Sequence, residues 1–188
     1  DVVLYPAIGD YLGRAVASAG DMNSDGFDDI LVGAPRDDTG ASDSGAVYLI
    51  YGGSTITSLD GSDADAVYDA VIAGNSTDLQ IGEEIESGRD FDGDTNHDVL
   101  LGATSYGSIS EGAAFFYYGP ITGSLSLDDA DATLTGTNNS DDAGSNLLII
   151  EDLDGSGMGA LLIDAAGSDA VDGSSAAGGA FLIDELSL

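Results

Sequence analysis

Ten residues in two short stretches carry the chemistry this sequence can do. In the first, Asp21, Asn23, Asp25 and Asp29 stand at positions 1, 3, 5 and 9 of a loop, and the Phe27 carbonyl falls at position 7. In the second, Asp90, Asp92, Asp94 and Asp98 repeat that spacing, with the Asn96 carbonyl at position 7. Alternate positions of a tight loop turn their side chains inward, and Gly26 permits the sharp bend. Oxygen-only donors in such a ring suit a hard cation, and Ca2+ takes roughly six to eight of them. Mg2+ is the poorer fit, because an all-protein cage favours the larger ion. An EF-hand or dockerin loop is excluded, since position 12, which needs a bidentate carboxylate, holds Val32 in one stretch and Leu101 in the other. Asp, Asn and Gly also build plain solvated turns, but the same four-donor spacing occurring twice favours two Ca2+ sites. A third stretch begins with Asp152 and Asp154 but has Ser156 and Ala160 at positions 5 and 9, so the reading there is a turn rather than a site.

The charge balance points the same way. Thirty-five acidic residues face three arginines and no lysine, a formal net charge of -32 on 188 residues. Nucleic-acid binding needs a basic footprint, and an anionic membrane surface attracts basic segments, so neither is an expected partner. A chain this acidic repels itself unless cations screen it or bind at specific places. It is nevertheless expected to fold, because β-prone apolar runs such as Val47-Tyr48-Leu49-Ile50-Tyr51 can supply a core. No apolar stretch approaches the ~20 residues needed to span a bilayer, so membrane insertion is not expected. With no cysteine, stability must come from packing and metal. The first residue is Asp1 and no basic-then-apolar leader follows, which fits a removed signal sequence or a piece of a longer chain.

The elements that position the two loops recur as a repeat, over about 11–73, 79–136 and 141–184. Each copy opens on an apolar-glycine pair (Leu12-Gly13, Ile81-Gly82, Ala143-Gly144) and continues through the acidic loop. An apolar strand follows (Ile30-Leu31-Val32-Gly33-Ala34-Pro35, Val99-Leu100-Leu101-Gly102-Ala103, Leu161-Leu162-Ile163), and then a second one ending near Gly52, Gly119 or Ile183. Short apolar runs between Gly, Asp, Asn and Ser clusters predict strands joined by turns. The expected strands are 13–19, 28–34, 45–51 and 67–73; then 82–88, 97–103, 113–118 and 132–136; then 144–150, 159–165 and 178–184. Runs that are apolar throughout imply sheets covered on both faces. The third copy lacks a fourth strand, and residues 1–6 are the expected substitute, in the same molecule or in a neighbour.

These residues resemble the FG-GAP repeat of integrin α-subunit propellers. Leu12-Gly13 takes the phenylalanine-glycine place, Val32-Gly33-Ala34-Pro35 the later half, and a calcium loop lies between. The second copy ends in Thr104 rather than proline, and the third has Asp164 where the first has Gly33. The resemblance implies an all-β fold of propeller-type blades, three four-stranded antiparallel repeats that do not close a ring on their own. It also implies an extracellular or cell-surface setting and a protein or glycan ligand.

An enzyme is not expected: the one histidine, His97, lies inside the second loop, no cysteine nucleophile exists, and no Gly-x-Ser-x-Gly elbow is present. The function expected is a calcium-binding extracellular module for adhesion or for protein or glycan interaction. Two alternatives stand beside it. One is a surface protein whose copies join head to tail into a ring or filament by strand donation. The other is a non-catalytic, calcium-stabilised part of a larger secreted enzyme.

Overall fold

The computed structural model describes residues 9–53, 69–108, 110–168 and 178–184. Among them, twelve strands form three sheets, and the one helical element is a single 3-10 turn at Leu127–Asp129. The first sheet holds β1 (Val16–Gly20), β2 (Asp29–Ala34), β3 (Ala46–Ile50) and β4 (Ala70–Ala73). The second holds β5 (Glu84–Arg89), β6 (Asp98–Ala103), β7 (Ala113–Tyr117) and β9 (Ala132–Thr135). The third holds β10 (Ala143–Ile150), β11 (Ala160–Ala165) and β12 (Gly179–Ile183). Sequential neighbours pair antiparallel in all three, as the blades of a propeller do.

The blades stack face to face, and the stacking explains the apolar runs. Leu31, Val47, Leu49 and Ile72 of the first blade pack on Ile85, Val99, Leu101, Phe115 and Tyr117 of the second. The opposite face of the second blade, with Leu100, Ala114 and Phe116, packs on Ile149, Leu161 and Ile163 of the third. The middle blade is therefore covered twice, and every residue of β6 and β7 is buried. Phe91, at the mouth of the second loop, lies in this second core with its ring 5.1 Å from that of Phe116.

Glycines set how closely the blades approach. A Cβ on Gly33 would overlap the carbonyl oxygen of Gly82, and a Cβ on Gly102 would overlap that of Gly144. The later-half glycine of each of the first two blades thus receives the early glycine of the next, so the two halves of the repeat meet between blades.

One strand was not expected. In the connection from β7 to β9, β8 (Gly123–Ser126) crosses to the first blade and pairs in parallel with β4, from Ala70↔Gly123 to Ala73↔Ser126. The first blade therefore has five strands rather than four. Ile121 and Leu127 on either side are buried in the core between the first two blades, and Asn75 Nδ2 donates to Asp128 Oδ1 at 2.8 Å. The segment Gly-Ser-Leu-Ser carries no β-branched or aromatic residue, so its sequence gives no strand signal. The expected strand 13–19 begins three residues later, at Val16, because Leu12-Gly13-Arg14 forms a turn. The expected strand 67–73 is present as β4, its first residues lying outside the described ones. Residues 1–6, expected to complete the last blade, also lie outside them.

Candidate metal centre

Each acidic loop joins the first two strands of its blade, β1 to β2 and β5 to β6, and the two are built alike. Position 1 accepts from the backbone of positions 5 and 6: Asp21 from Asp25 and Gly26 at 2.9 and 2.8 Å, Asp90 from Asp94 and Thr95 at 3.2 and 2.9 Å. Position 3 accepts from the N–H of position 5, through Asn23 at 3.0 Å and Asp92 at 3.1 Å. Position 5 accepts from the N–H of position 7, through Asp25 at 2.9 Å and Asp94 at 2.7 Å. Positions 4 and 6 take positive φ in both: Ser24 at 60° and Gly26 at 90°, Gly93 at 82° and Thr95 at 80°. This is a region that disfavours residues with a Cβ, and most of all a β-branched one such as Thr95.

Position 9 is the buried anchor. Asp29 Oδ2 accepts the Met22 N–H at 2.7 Å, and Oδ1 accepts the Gly52 N–H at 2.7 Å. Asp98 does the same with Phe91 at 2.6 Å and Gly119 at 2.9 Å. Both residues are fully buried. Each carboxylate therefore ties its loop to the end of the third strand. The glycines are needed there, since a Cβ on Gly52 would overlap the Asp28 carbonyl oxygen and one on Gly119 that of His97. Gly52 and Gly119 are functional positions that reading the loops alone overlooks; their signal is the glycine closing the third strand in both copies.

In the second loop, carboxylate oxygens of Asp90, Asp92 and Asp98 lie within 4.8 Å of one another. Three like charges this close raise each other's proton affinity. Burial pushes Asp98 up to about 6, with Asp92 and Asp90 adding to the rise against the pull of its two N–H donors. Burial also raises Asp92, with Asp94 and Asp90 contributing, and raises Asp29, with Asp25 and Asp21 contributing. A divalent cation is the chemistry that would relieve this strain, and an all-oxygen donor set suits a hard one. Asp94 stands outside the convergent trio, its two oxygens accepting from the backbone N–H and the Nδ2 of Asn96. Phe27, whose carbonyl was expected at position 7, has a side chain that is 46% exposed.

The third loop keeps the turn and loses the anchor. Asp152 accepts the Gly155 N–H at 2.6 Å and Asp154 the Ser156 N–H at 2.9 Å. Gly155 and Gly157 take the two positive-φ positions, at 83° and 84°. Ala160 stands where Asp29 and Asp98 do, and the Gly159 N–H instead donates to the Phe91 carbonyl at 2.7 Å. His97 sits between blades, its Nδ1 3.2 Å from the Ala19 carbonyl and its ring over Gly20, where a Cβ would collide with it.

Stacked antiparallel sheets joined by such loops make this an all-β protein of propeller-type blades. Residues 12–50 match the family model of the FG-GAP repeat, and the chain is similar to integrin α subunits. It is 36% identical over 100 residues to integrin alpha pat-2 of Caenorhabditis briggsae, covering 52% of this chain and 8% of that protein. Against integrin alpha-5 of Xenopus laevis it is 32% identical over 114 residues, 58% of this chain and 10% of the relative. A phosphatidylinositol-glycan-specific phospholipase D of Bos taurus is 35% identical over 119 residues, 61% of this chain and 14% of the enzyme. The aligned region thus spans only a small part of these much longer proteins. No helix among the described residues is long and apolar enough to cross a membrane.

Proposed function

We propose that the first two loops each bind one Ca2+ and that the chain is an extracellular, non-catalytic interaction module whose blades those ions stabilise. The observation that carries this reading is the convergence of Asp90, Asp92 and Asp98 on one point beside the buried end of β6. Asp90, Asp92, Asp94 and Asp98 with the Asn96 carbonyl would hold one ion, and Asp21, Asn23, Asp25 and Asp29 with the Phe27 carbonyl the other. Bound Ca2+ supplies positive charge that offsets the repulsion among the carboxylates. The chain's own residues do the positioning. Asp29 and Asp98 hold the loop ends against Gly52 and Gly119, and in the second loop Asp90 and Asp92 converge on Asp98.

A cage filled by protein oxygens leaves no position for an activated water, so the ions act as staples and not as catalysts. Similarity to integrin α subunits supports a surface module that meets a protein or glycan ligand. Similarity to the phospholipase D relatives supports a second reading, a non-catalytic segment of a larger secreted enzyme. Calorimetric titration of chelator-treated protein tests the metal sites. Two Ca2+ per chain are expected, with a rise in the unfolding midpoint on loading. The Asp152→Ala variant should keep both ions and Asp90→Ala should lose one. Absence of heat and of any midpoint shift would sink the reading.

A further inference from the structure

The two acidic loops are linked through one side chain. His97 is position 8 of the second loop, between Asn96 and the anchor Asp98. Its ring lies on Ala19 and Gly20, the two residues that lead into Asp21, position 1 of the first loop. The local structure of β1 makes this seat. The ladder between β1 and β2 passes from Ser18↔Ile30 to Gly20↔Asp29 and skips Ala19, which forms a bulge. Ala19 is fully buried, so its carbonyl needs a donor from outside the ladder. His97 Nδ1 stands 3.2 Å from that oxygen, and because a carbonyl can only accept, Nδ1 carries the proton. Gly20 completes the seat, with φ at 64° and no Cβ where the imidazole ring lies.

The backbone that carries His97 is fixed from both sides of the chain. Asp98, the next residue, accepts the Phe91 and Gly119 N–H groups, and the His97 carbonyl lies where a Cβ on Gly119 would be. Position 8 leans on the preceding loop once more in the next blade. There the N–H of Gly159, position 8 of the third loop, donates to the carbonyl of Phe91, position 2 of the second, at 2.7 Å. That contact is backbone to backbone and comes from a loop without its anchor. Between the first two loops the link is a side chain, and both loops carry the full donor set.

We propose that His97 couples the two cation sites, so that an ion in either loop raises the affinity of the other; this rests on the reading of both loops as Ca2+ sites. The Asn96 carbonyl and the Asp98 carboxylate flank His97, so donating both to an ion fixes the backbone on either side of the ring. The ring holds Ala19 and Gly20 and, through them, the start of Asp21. The first ion to bind orders this shared segment, and the second meets it already in place. By linkage the effect is the same in either direction. His97 is thus a positioning residue for the first site as well as a member of the second loop.

Calorimetric titration of chelator-treated protein with Ca2+ tests this. Asp21→Ala isolates the second site and Asp90→Ala the first. The product of the two stepwise association constants of the parent, divided by the product of the two single-site constants, is the coupling factor. It is measured again with His97→Ala added to all three chains. Repulsion between the ions and the loss of a carboxylate are common to both sets and cancel. The factor is expected to be larger by about fivefold or more with His97 present. His97→Asn, whose amide N–H reaches the place of Nδ1, should restore it. A purely structural role would shift the single-site constants and leave the factor alone. Two bound ions with equal factors in both sets would overturn the proposal while the metal sites stand, whereas absence of binding in the parent removes both. Hydrogen exchange gives a reading that does not depend on the His97 variants. In Asp21→Ala, Ca2+ entering the second loop should raise the protection of the Gly20 and Met22 amides, and unchanged protection there would also overturn the proposal.

Discussion

Asp98 and Gly119 are joined across 21 residues of chain by a 2.9 Å hydrogen bond from the Gly119 backbone N–H to the carboxylate Oδ1 of Asp98, a side chain with no exposure to solvent. With the matching bond to the Phe91 N–H, this single side chain holds the second loop to both the mouth of the loop and the end of β7.

Asp98→Ala leaves two backbone donors without partners, the buried Phe91 N–H and the half-buried Gly119 N–H. Each unsatisfied buried donor costs about 1–3 kcal/mol, so a loss of about 3 kcal/mol in unfolding free energy is expected by denaturant titration. Asp94→Ala, at an exposed position, should cost less than about 1 kcal/mol in metal-free protein. Equal losses in the two variants would contradict the anchoring role.

Acid should stabilise the metal-free protein before it denatures it. Asp98 is raised to about 6 from an ordinary value near 3.8, so the folded state binds its proton more tightly than the unfolded chain does. Stability from this group is fully present below the unfolded value and is lost as pH rises through about 6. Asp29 and Asp92 are raised as well and act in the same direction. The unfolding midpoint in chelator is expected to climb as pH falls from about 7.5 to about 5, and Asp98→Asn should flatten that climb. At still lower pH the trend should reverse, because Asp129 and Asp154, lowered by hydrogen bonds from Ser126 and Ser156, lose their contributions there.

Thr95 holds φ at 80° where the third loop uses Gly157 and the first Gly26. A left-handed conformation costs a residue with a Cβ roughly 1–2 kcal/mol. Thr95→Gly is therefore expected to stabilise the protein by about 1 kcal/mol, net of the added unfolded-state entropy. The same change at Ser156, whose hydroxyl accepts the Met158 N–H at 3.2 Å, should not. Chemical denaturation of the two variants side by side checks this.

Gly102→Ala inserts a methyl group into the contact with Gly144. Overpacking of this kind costs about 1–3 kcal/mol, and the loss should appear in thermal unfolding with or without metal. A variant as stable as the parent would show that the two blades can slide apart at no cost.

Much of this was legible because the repeat shows the same solution more than once. The spacing of Asp21, Asn23, Asp25 and Asp29 against Asp90, Asp92, Asp94 and Asp98 located both loops, and the continuously apolar β6 and β7 announced a blade covered on two sides. The anchoring role of position 9 was hidden, since spacing alone cannot separate a carboxylate that faces the loop centre from one that also binds backbone N–H groups at the far end of the sheet. The β8 strand was hidden for a different reason. Its residues have little strand preference, and what holds them is the free edge of β4 together with the burial of Ile121 and Leu127, which are facts of the neighbouring blade and not of the segment.

That crossing strand also decides which parts of the molecule come apart together. Because β8 belongs by chain to the second blade and by hydrogen bonding to the first, neither can open without stripping the other of a strand. The third blade has no such tether among the described residues and is joined through side-chain packing, a few backbone contacts and the chain itself. The first two blades therefore constitute a single cooperative unit, and the third is the part free to fray from it first, at a lower energetic threshold.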